Sequence, residues 1–502
     1  MKSLVLIFLF LSCSLFAQKK AIDLEQVSEK NAIQSFKEFY ELLSLTNDAH
    51  FPADIEKNVQ WCENAFAKRG FTTMQLETPT VPLLLAERKA KKAKKTVLIY
   101  LQIDGQPVNP VQWNQESPWI PALKEKDSQG AWKTIPYERL YEGYNPDWRI
   151  FARSTSDAKG PAMAFLASLD ALKELKGEPN YNIKVIMDFE EELGSPNLPA
   201  AVAKYKNELS ADMLIIFDGP RHVSNQPTLS FGARGICEIT ITTFGPRTPV
   251  HSGNYGNYTP NPAFRLAKLL GGMKDDNGVV TIPGFYDGVV LTDEEKQILK
   301  QVPDNENEIK KFLGIAAPDQ VGTNFQESLQ YPTLNIRGLD ALFIGKEART
   351  LIPATATAEI DIRLVPSSDP DRLIGLVKKY IKDEGYYFVE NEPTEAERMQ
   401  YPRIASFQSS ISYGAFQTPF NSETGIWLSK AMQKAFGKEP IKVRTAGGSI
   451  PISPFVITLG IPAVAVPTVN ADNNQHAENE NIRVGNYVEA VKTFLAILME
   501  KL

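Results

Sequence analysis

The chain has 502 residues, 43% of them hydrophobic and 23% charged, enough to build more than one domain with a buried core. Its net charge of -6 excludes the broad basic field that nucleic-acid binding draws on. Three cysteines are too few for a disulfide-stapled scaffold.

Lys2 precedes an apolar run from Leu4 to Phe16, broken only by Ser12, Cys13 and Ser14, and Ala17 leads into the polar Gln18, Lys19 and Lys20. A basic residue, a short apolar core and a small residue before a polar stretch read as a secretory signal over residues 1–17. At about 13 residues the run is shorter than the roughly 20 needed to span a bilayer. Cleavage after Ala17 is the expectation, with a lipid anchor on Cys13 as the alternative. The mature chain is expected outside the cytoplasm, periplasmic or secreted, with no transmembrane segment. It keeps Cys62 and Cys237, and their pairing stays open. The basic run Arg88, Lys89, Lys91, Lys92, Lys94 and Lys95 reads as a solvated segment before a strand.

Residues 21–68 carry apolar side chains at helical spacing. Residues 96–101 form a short continuous apolar run, the mark of a strand buried on both faces. A helical stripe over 161–172, strands at 183–187 and 213–217 and a helix over 200–209 complete a strand–helix alternation. That alternation specifies an α/β unit with a sheet covered by helices. Asp104, Glu191, Glu192 and Asp218 fall just past strand ends, the edge where open α/β sheets bind ligands. Near Gly232 the rhythm changes: 236–243 and 356–364 alternate in period two, as half-buried antiparallel strands do. Residues 372–384 read as helix and 386–390 as extended chain. Parallel-sheet features return after Ser422, with a helix to Phe436 and strands at 455–458 and 463–466. The expected organisation is an α/β domain in two parts, 21–231 and 392–502, interrupted by an inserted α+β domain at 232–391.

Four histidines occur: His50, His222, His251 and His476. His50 and His222 read as surface residues. His476 lies in a polar loop after a buried strand, where ligands usually sit. Glu190, Glu191 and Glu192 are adjacent carboxylates, which repel unless solvated or neutralised by a cation. Alone, Asp157 reads equally well as a helix N-cap and Asp218 as an ordinary strand end. Together, Asp157, Glu192, Asp218 and His476 are the carboxylate and imidazole donors that zinc and similar ions accept. Glu191, beside a ligand, stands where a general base for an activated water belongs.

In order along nearly the whole mature chain, the segments YLQIDGQP (100–107), STSDAKGP (154–161), EELGS (191–195), VHSGNYG (250–256), IRLVP (362–366), GGSIP (447–451) and HAENE (476–480) resemble the motifs of the co-catalytic zinc peptidases. That family includes carnosinase, cytosolic nonspecific dipeptidase and carboxypeptidase G; the dipeptidase branch fits best. The resemblance implies a zinc-exopeptidase-like mixed sheet in a catalytic domain, 21–231 and 392–502, with 232–391 as a lid through which a homodimer forms. It implies that Asp157 bridges two metals, with Glu192 and His476 on one and Asp218 on the other. Asp104 would orient the remaining ligand from behind. Glu191 would be the base, and His251 would polarise the oxyanion in the other protomer. Arg363 would hold the substrate carboxylate, helped by Gly448 and Ser449; a partnership with Asp361 or Glu359 on its own strand is the plainer reading.

One position departs. Gln102 stands where the family carries a histidine ligand. A carboxamide oxygen is a weaker donor than imidazole, so a second position there is expected to hold metal loosely or to favour manganese or cobalt over zinc. The function implied is a metal-dependent exopeptidase acting on dipeptides or short peptides. The alternatives are an amidohydrolase of N-acyl or carbamoyl amino acids, and a non-catalytic peptide-binding relative.

Overall fold

The structure, a computed structural model, describes residues 23–502, so the expected signal, Cys13 and the Ala17 cleavage point lie outside the described residues. The helical pattern at the start resolves into Leu24–Leu43 and Pro52–Ala67. Asp23 caps the first by accepting from the Gln26 N–H, and Pro52 opens the second at a position where its missing N–H costs nothing.

The catalytic sheet has eight strands. Their order is Thr72–Leu76, Leu83–Arg88, Asn182–Asp188, Thr96–Gln102, Met213–Ile216, Ala463–Ala465, Thr228–Ser230 and Ile441–Val443. The central Thr96–Gln102 strand pairs in parallel with Asn182–Asp188 on one side and Met213–Ile216 on the other, and it is buried on both faces. Helices Leu24–Leu43, Lys159–Glu174, Glu423–Phe436 and Val484–Met499 cover one face, where Phe36, Phe165, Phe217 and Phe494 anchor the largest apolar cluster. Leu198–Lys204 and Ser453–Leu459 cover the other.

Residues 455–458 are therefore helix, not the expected strand. The β-branched run suggested a strand, but Pro454 begins the helix and Gly460, at φ 69°, ends it in the left-handed conformation. Tertiary packing against Leu198–Lys204 uses the apolar run as one helical face.

The second unit is an antiparallel sheet. Asn335–Asp340, Thr355–Leu364, Gly232–Phe244 and Ile404–Tyr413 pair in that order, with Tyr387–Val389 added in parallel at the edge. Helices Pro262–Gly271 and Pro370–Asp383 cover one face around Ile239, Ile241, Ile360 and Leu373. The sheet extends past the expected boundary at residue 391, because Ile404–Tyr413 pairs along the whole of Gly232–Phe244. Its outward Ser406, Gln408 and Ser410 dilute the apolar pattern that marks the other strands. Gly232–Phe244 also joins the two units, since Ala233 and Arg234 pair in parallel with Ala446–Ser449.

A four-stranded sheet, Asn481–Arg483, Arg149–Phe151, Ala122–Lys126 and Trp132–Ile135, was not expected. Asn481 pairs with Phe151, which draws the chain after Phe151 and the chain before Asn481 together. Lys159, fully buried, donates to the Leu42 and Leu45 carbonyls at 2.9 and 2.6 Å, fastening the start of its helix to the end of Leu24–Leu43. Burial pushes its ammonium down to about 7. Cys62 lies in the catalytic core and Cys237 in the lid core, both free, so they do not pair. Among the described residues no helix is long and apolar enough to cross a membrane.

Candidate metal centre

Three parallel strands deliver their acidic or amide residues to one edge. Gln102 ends Thr96–Gln102, Asp218 follows Met213–Ile216 by two residues, and Glu191 and Glu192 form the tight turn after Asn182–Asp188. Gly194, at φ 78°, lets that turn close. Asp157 and His476 come from the two loops that the four-stranded sheet draws together. Gly105 permits the close approach, because a Cβ there would meet Ser154 Oγ at 2.1 Å.

Asp157, Glu192 and His476 converge, each offering one donor atom within 4.8 Å of the others. His476 Nε2 lies 3.0 Å from Asp157 Oδ2 and 3.3 Å from Glu192 Oε2. Asp157 is buried, while His476 keeps a half-exposed ring on a left-handed backbone at φ 63°. Such a conformation costs energy and persists where the surroundings demand it. Gln475 Nε2 also donates to Asp157 Oδ2, at 3.2 Å, and Gln106 Nε2 to Glu192 Oε2, at 2.9 Å. Two carboxylates and an imidazole suit a divalent ion of the zinc type.

The other oxygen of Asp157 faces Gln102, whose Nε2 donates to Asp157 Oδ1 at 3.0 Å and to Glu191 Oε2 at 3.1 Å. Gln102 is 1% exposed, and its Oε1 takes no hydrogen bond. Leaving such an acceptor buried and unpaired costs about 1–3 kcal/mol. Asp104, fully buried, holds the Glu192 N–H with Oδ2 at 2.9 Å and leaves Oδ1 unpaired. It therefore braces the ligand turn directly.

The electrostatics are those of a cluster short of positive charge. Burial first, then the charge of Asp157, pushes Glu191 well above the usual carboxylate range. Asp218 is pushed up to about 7 and Glu192 to about 8, again by burial and then Asp157. The hydrogen bond that His476 donates to Asp157 lifts it to about 9, against its own burial. All these values lie above the ordinary ones, so bound protons stabilise the metal-free fold. For the carboxyls that gain is complete below about 4 and lost as pH rises through about 7 to 8; for His476 it is complete below 6.5 and lost through about 9. A metal ion must displace the same protons. Zinc affinity is therefore expected to tighten more than tenfold between pH 6 and pH 8.5, with protons released, in calorimetry on chelator-treated protein. Affinity independent of pH would contradict these proton positions.

Sequence reasoning passed over Glu480 as a working residue. It is 1% exposed and accepts five hydrogen bonds. Oε1 takes Ser156 N at 2.9 Å, Ser156 Oγ at 2.8 Å and Asp157 N at 3.0 Å, while Oε2 takes Ser154 N at 2.8 Å and Arg153 Nη1 at 3.0 Å. One buried carboxylate thus ties the Asp157 loop to the His476 loop. Asp188 does similar work behind Glu190–Glu192, accepting from Tyr100 Oη at 3.0 Å and Ser195 Oγ at 2.6 Å.

The remaining expected residues sit elsewhere. His251 is exposed on the short Val250–His251 strand of the lid, its Nδ1 accepting the Gly253 N–H. Arg363 lies on Thr355–Leu364 with Nε 3.6 Å from Asp361 Oδ1, the plainer partnership weighed for it. Its charge also reaches Arg234, whose guanidinium burial and Arg363 together lower to about 10. Arg234 pairs in register with the Ser449 backbone, at the junction of sheet and lid. His222 is not a bland surface residue: its side chain is 6% exposed and bonds Asp304 at 2.9 Å, joining the catalytic unit to the helical part of the insertion. That bond also commits its Nε2 away from Asp218. His50 is exposed beside Asp48.

A mixed sheet whose central parallel strands gather carboxylates at their ends beside a loop imidazole, joined to a second α+β unit, is the arrangement of a metal-dependent hydrolase. Residues 121–500 match the profile of peptidase family M20/M25/M40, and the chain belongs to that family. Gln102 and Asp104 precede the matched span. The chain is 28% identical over 433 residues to the Cys-Gly metallodipeptidase of Schizosaccharomyces pombe, covering 84% of this chain and 83% of that protein. It is 27% identical to the human Beta-Ala-His dipeptidase, covering 84% and 78%. Its fold matches an M20 family metallo-carboxypeptidase from Sulfolobus solfataricus at TM-score 0.76 and 28% identity, over 93% of this chain and 99% of that one. A Bacillus subtilis M20 peptidase described as dinuclear metal binding shares the fold at TM-score 0.53 and 10% identity, over 94% and 98%.

Proposed function

We propose that this chain is a metal-dependent dipeptidase, exported from the cytoplasm and working as a homodimer through the lid. The observation that carries the reading is the convergence of Asp157, Glu192 and His476 with Glu191 beside them. These three residues would hold zinc, which supplies a Lewis acid and lowers the pKa of water to near neutrality. Glu191 accepts the proton from the attacking water and passes it to the leaving amine nitrogen. His251 would polarise the carbonyl from the other protomer, which accords with its exposure on the lid.

Arg363, with Gly448 and Ser449, would receive the C-terminal carboxylate of the substrate. Arg363→Ala is then expected to raise KM for dipeptides about 30- to 1,000-fold, the loss of about 2–4 kcal/mol from a charge-assisted contact. C-terminally amidated peptides, lacking the charge, should be spared. Equal losses on both would make Arg363 a partner of Asp361 alone. The function itself is tested by one panel of dipeptides and N-acyl amino acids assayed with added zinc, manganese or cobalt. Hydrolysis of N-acyl amino acids alone would move the activity to the amidohydrolase reading, and hydrolysis of neither would leave a non-catalytic relative.

A further inference from the structure

We infer that this chain holds one catalytic ion rather than two, and that the Gln102 carboxamide fills the second position as a hydrogen-bond donor. The inference rests on the metallopeptidase reading and sharpens its metal centre. It also replaces the expectation of a second, loosely held ion at Gln102 and Asp218.

Asp157 divides its two oxygens. Oδ2 faces His476 and Gln475, and Oδ1 accepts from the Gln102 amide. A carboxylate shared between two ions would present Oδ1 to the second, and here a neutral N–H2 group stands against it. The same nitrogen donates to Glu191 Oε2. Both amide hydrogens are therefore spent on carboxylates, and an amide nitrogen has no lone pair to give a metal.

The amide and a second ion exclude each other at this spot. Rotating the carboxamide by half a turn would set Oε1 against Asp157 Oδ1 and Glu191 Oε2, three acceptors together that only a cation would reconcile. That cation would have Asp157, Asp218 and a neutral carbonyl oxygen, with no imidazole. Such an all-oxygen set discriminates against zinc. Among the described residues the group of converging metal donors is Asp157, Glu192 and His476, without Asp218. Gln102 instead performs the cation's electrostatic task, bringing positive hydrogens to two carboxylates and fixing the distance between Asp157 and Glu191. The base is thereby oriented by a side chain of the protein. The dinuclear description of the Bacillus subtilis peptidase then marks a difference from this chain, not a shared property.

The test is an ion count on the full mature chain. Calorimetric titration with zinc, manganese, cobalt and magnesium gives the stoichiometry with free metal present, so a labile ion is not lost. Electron paramagnetic resonance of the manganese form distinguishes an isolated ion from a spin-coupled pair. Wild type is expected to bind one ion per chain with an isolated-manganese spectrum. Gln102→His, which restores an imidazole, is expected to bind two and to show coupling. Two ions in wild type, a coupled spectrum, or no ion at all would overturn the inference, and so would a Gln102→His protein that still binds one. Dipeptide hydrolysis measured on the same samples keeps the two questions apart. One ion without hydrolysis rejects the activity and leaves the count standing, whereas two ions with hydrolysis reject the count and leave the activity.

Discussion

Glu191→Gln is expected to lower kcat for dipeptide hydrolysis by about 10²- to 10⁴-fold while metal content stays that of wild type. Glutamine keeps the size of the side chain and its ability to meet the Gln102 amide, but it takes no proton. Glu191 is not one of the three converging donors, so its neutralisation removes repulsion from the cluster without removing a ligand. KM is expected to change little, because the role falls in the transition state. A parallel fall in bound metal would show that Glu191 holds the ion, and unchanged kcat would show that the proton moves elsewhere.

Glu480→Ala is expected to have the largest effect on the centre of any change outside the ligands. It leaves the buried guanidinium of Arg153 without its counter-charge, at about 3–5 kcal/mol of stability. It also strips acceptors from the N–H groups of Ser154, Ser156 and Asp157. Metal affinity should drop about 10- to 100-fold, as for other residues that orient ligands from behind. Glu480→Gln separates the two effects. It keeps one acceptor oxygen but must turn N–H2 against either Arg153 or the Asp157 loop, so it should recover part of the Tm and little of the metal affinity. Affinity equal to wild type in Glu480→Gln would reduce Glu480 to a structural buttress.

What the sequence disclosed followed from how local each signal is. The strands 96–102 and 213–216 declare themselves as continuous apolar runs, and the lid strands 232–244 and 355–364 by the period-two alternation of residues 236–243 and 356–364. Asp157, Glu192 and His476 were legible because ordered motifs accompany their chemistry. Glu480 stood one motif position from notice, yet its partners lie 323 to 327 residues away, where no periodicity reaches. The same holds for His222, whose partner Asp304 is 82 residues on. The sheet built from Ala122–Lys126, Trp132–Ile135, Arg149–Phe151 and Asn481–Arg483 escapes because its strands are three to five residues long and rich in charge. Pairing, not composition, makes them strands. Helix Ser453–Leu459 was misread for the opposite reason: its composition suits a strand, and only Pro454 and Gly460 say otherwise.

The most direct measurement is an anomalous difference map at the zinc edge, from crystals of the protein grown with zinc. A peak bounded by Asp157, Glu192 and His476, in protein that hydrolyses dipeptides, is the predicted result. Active protein with zinc bound elsewhere and none among these three residues would contradict the assignment of the metal centre.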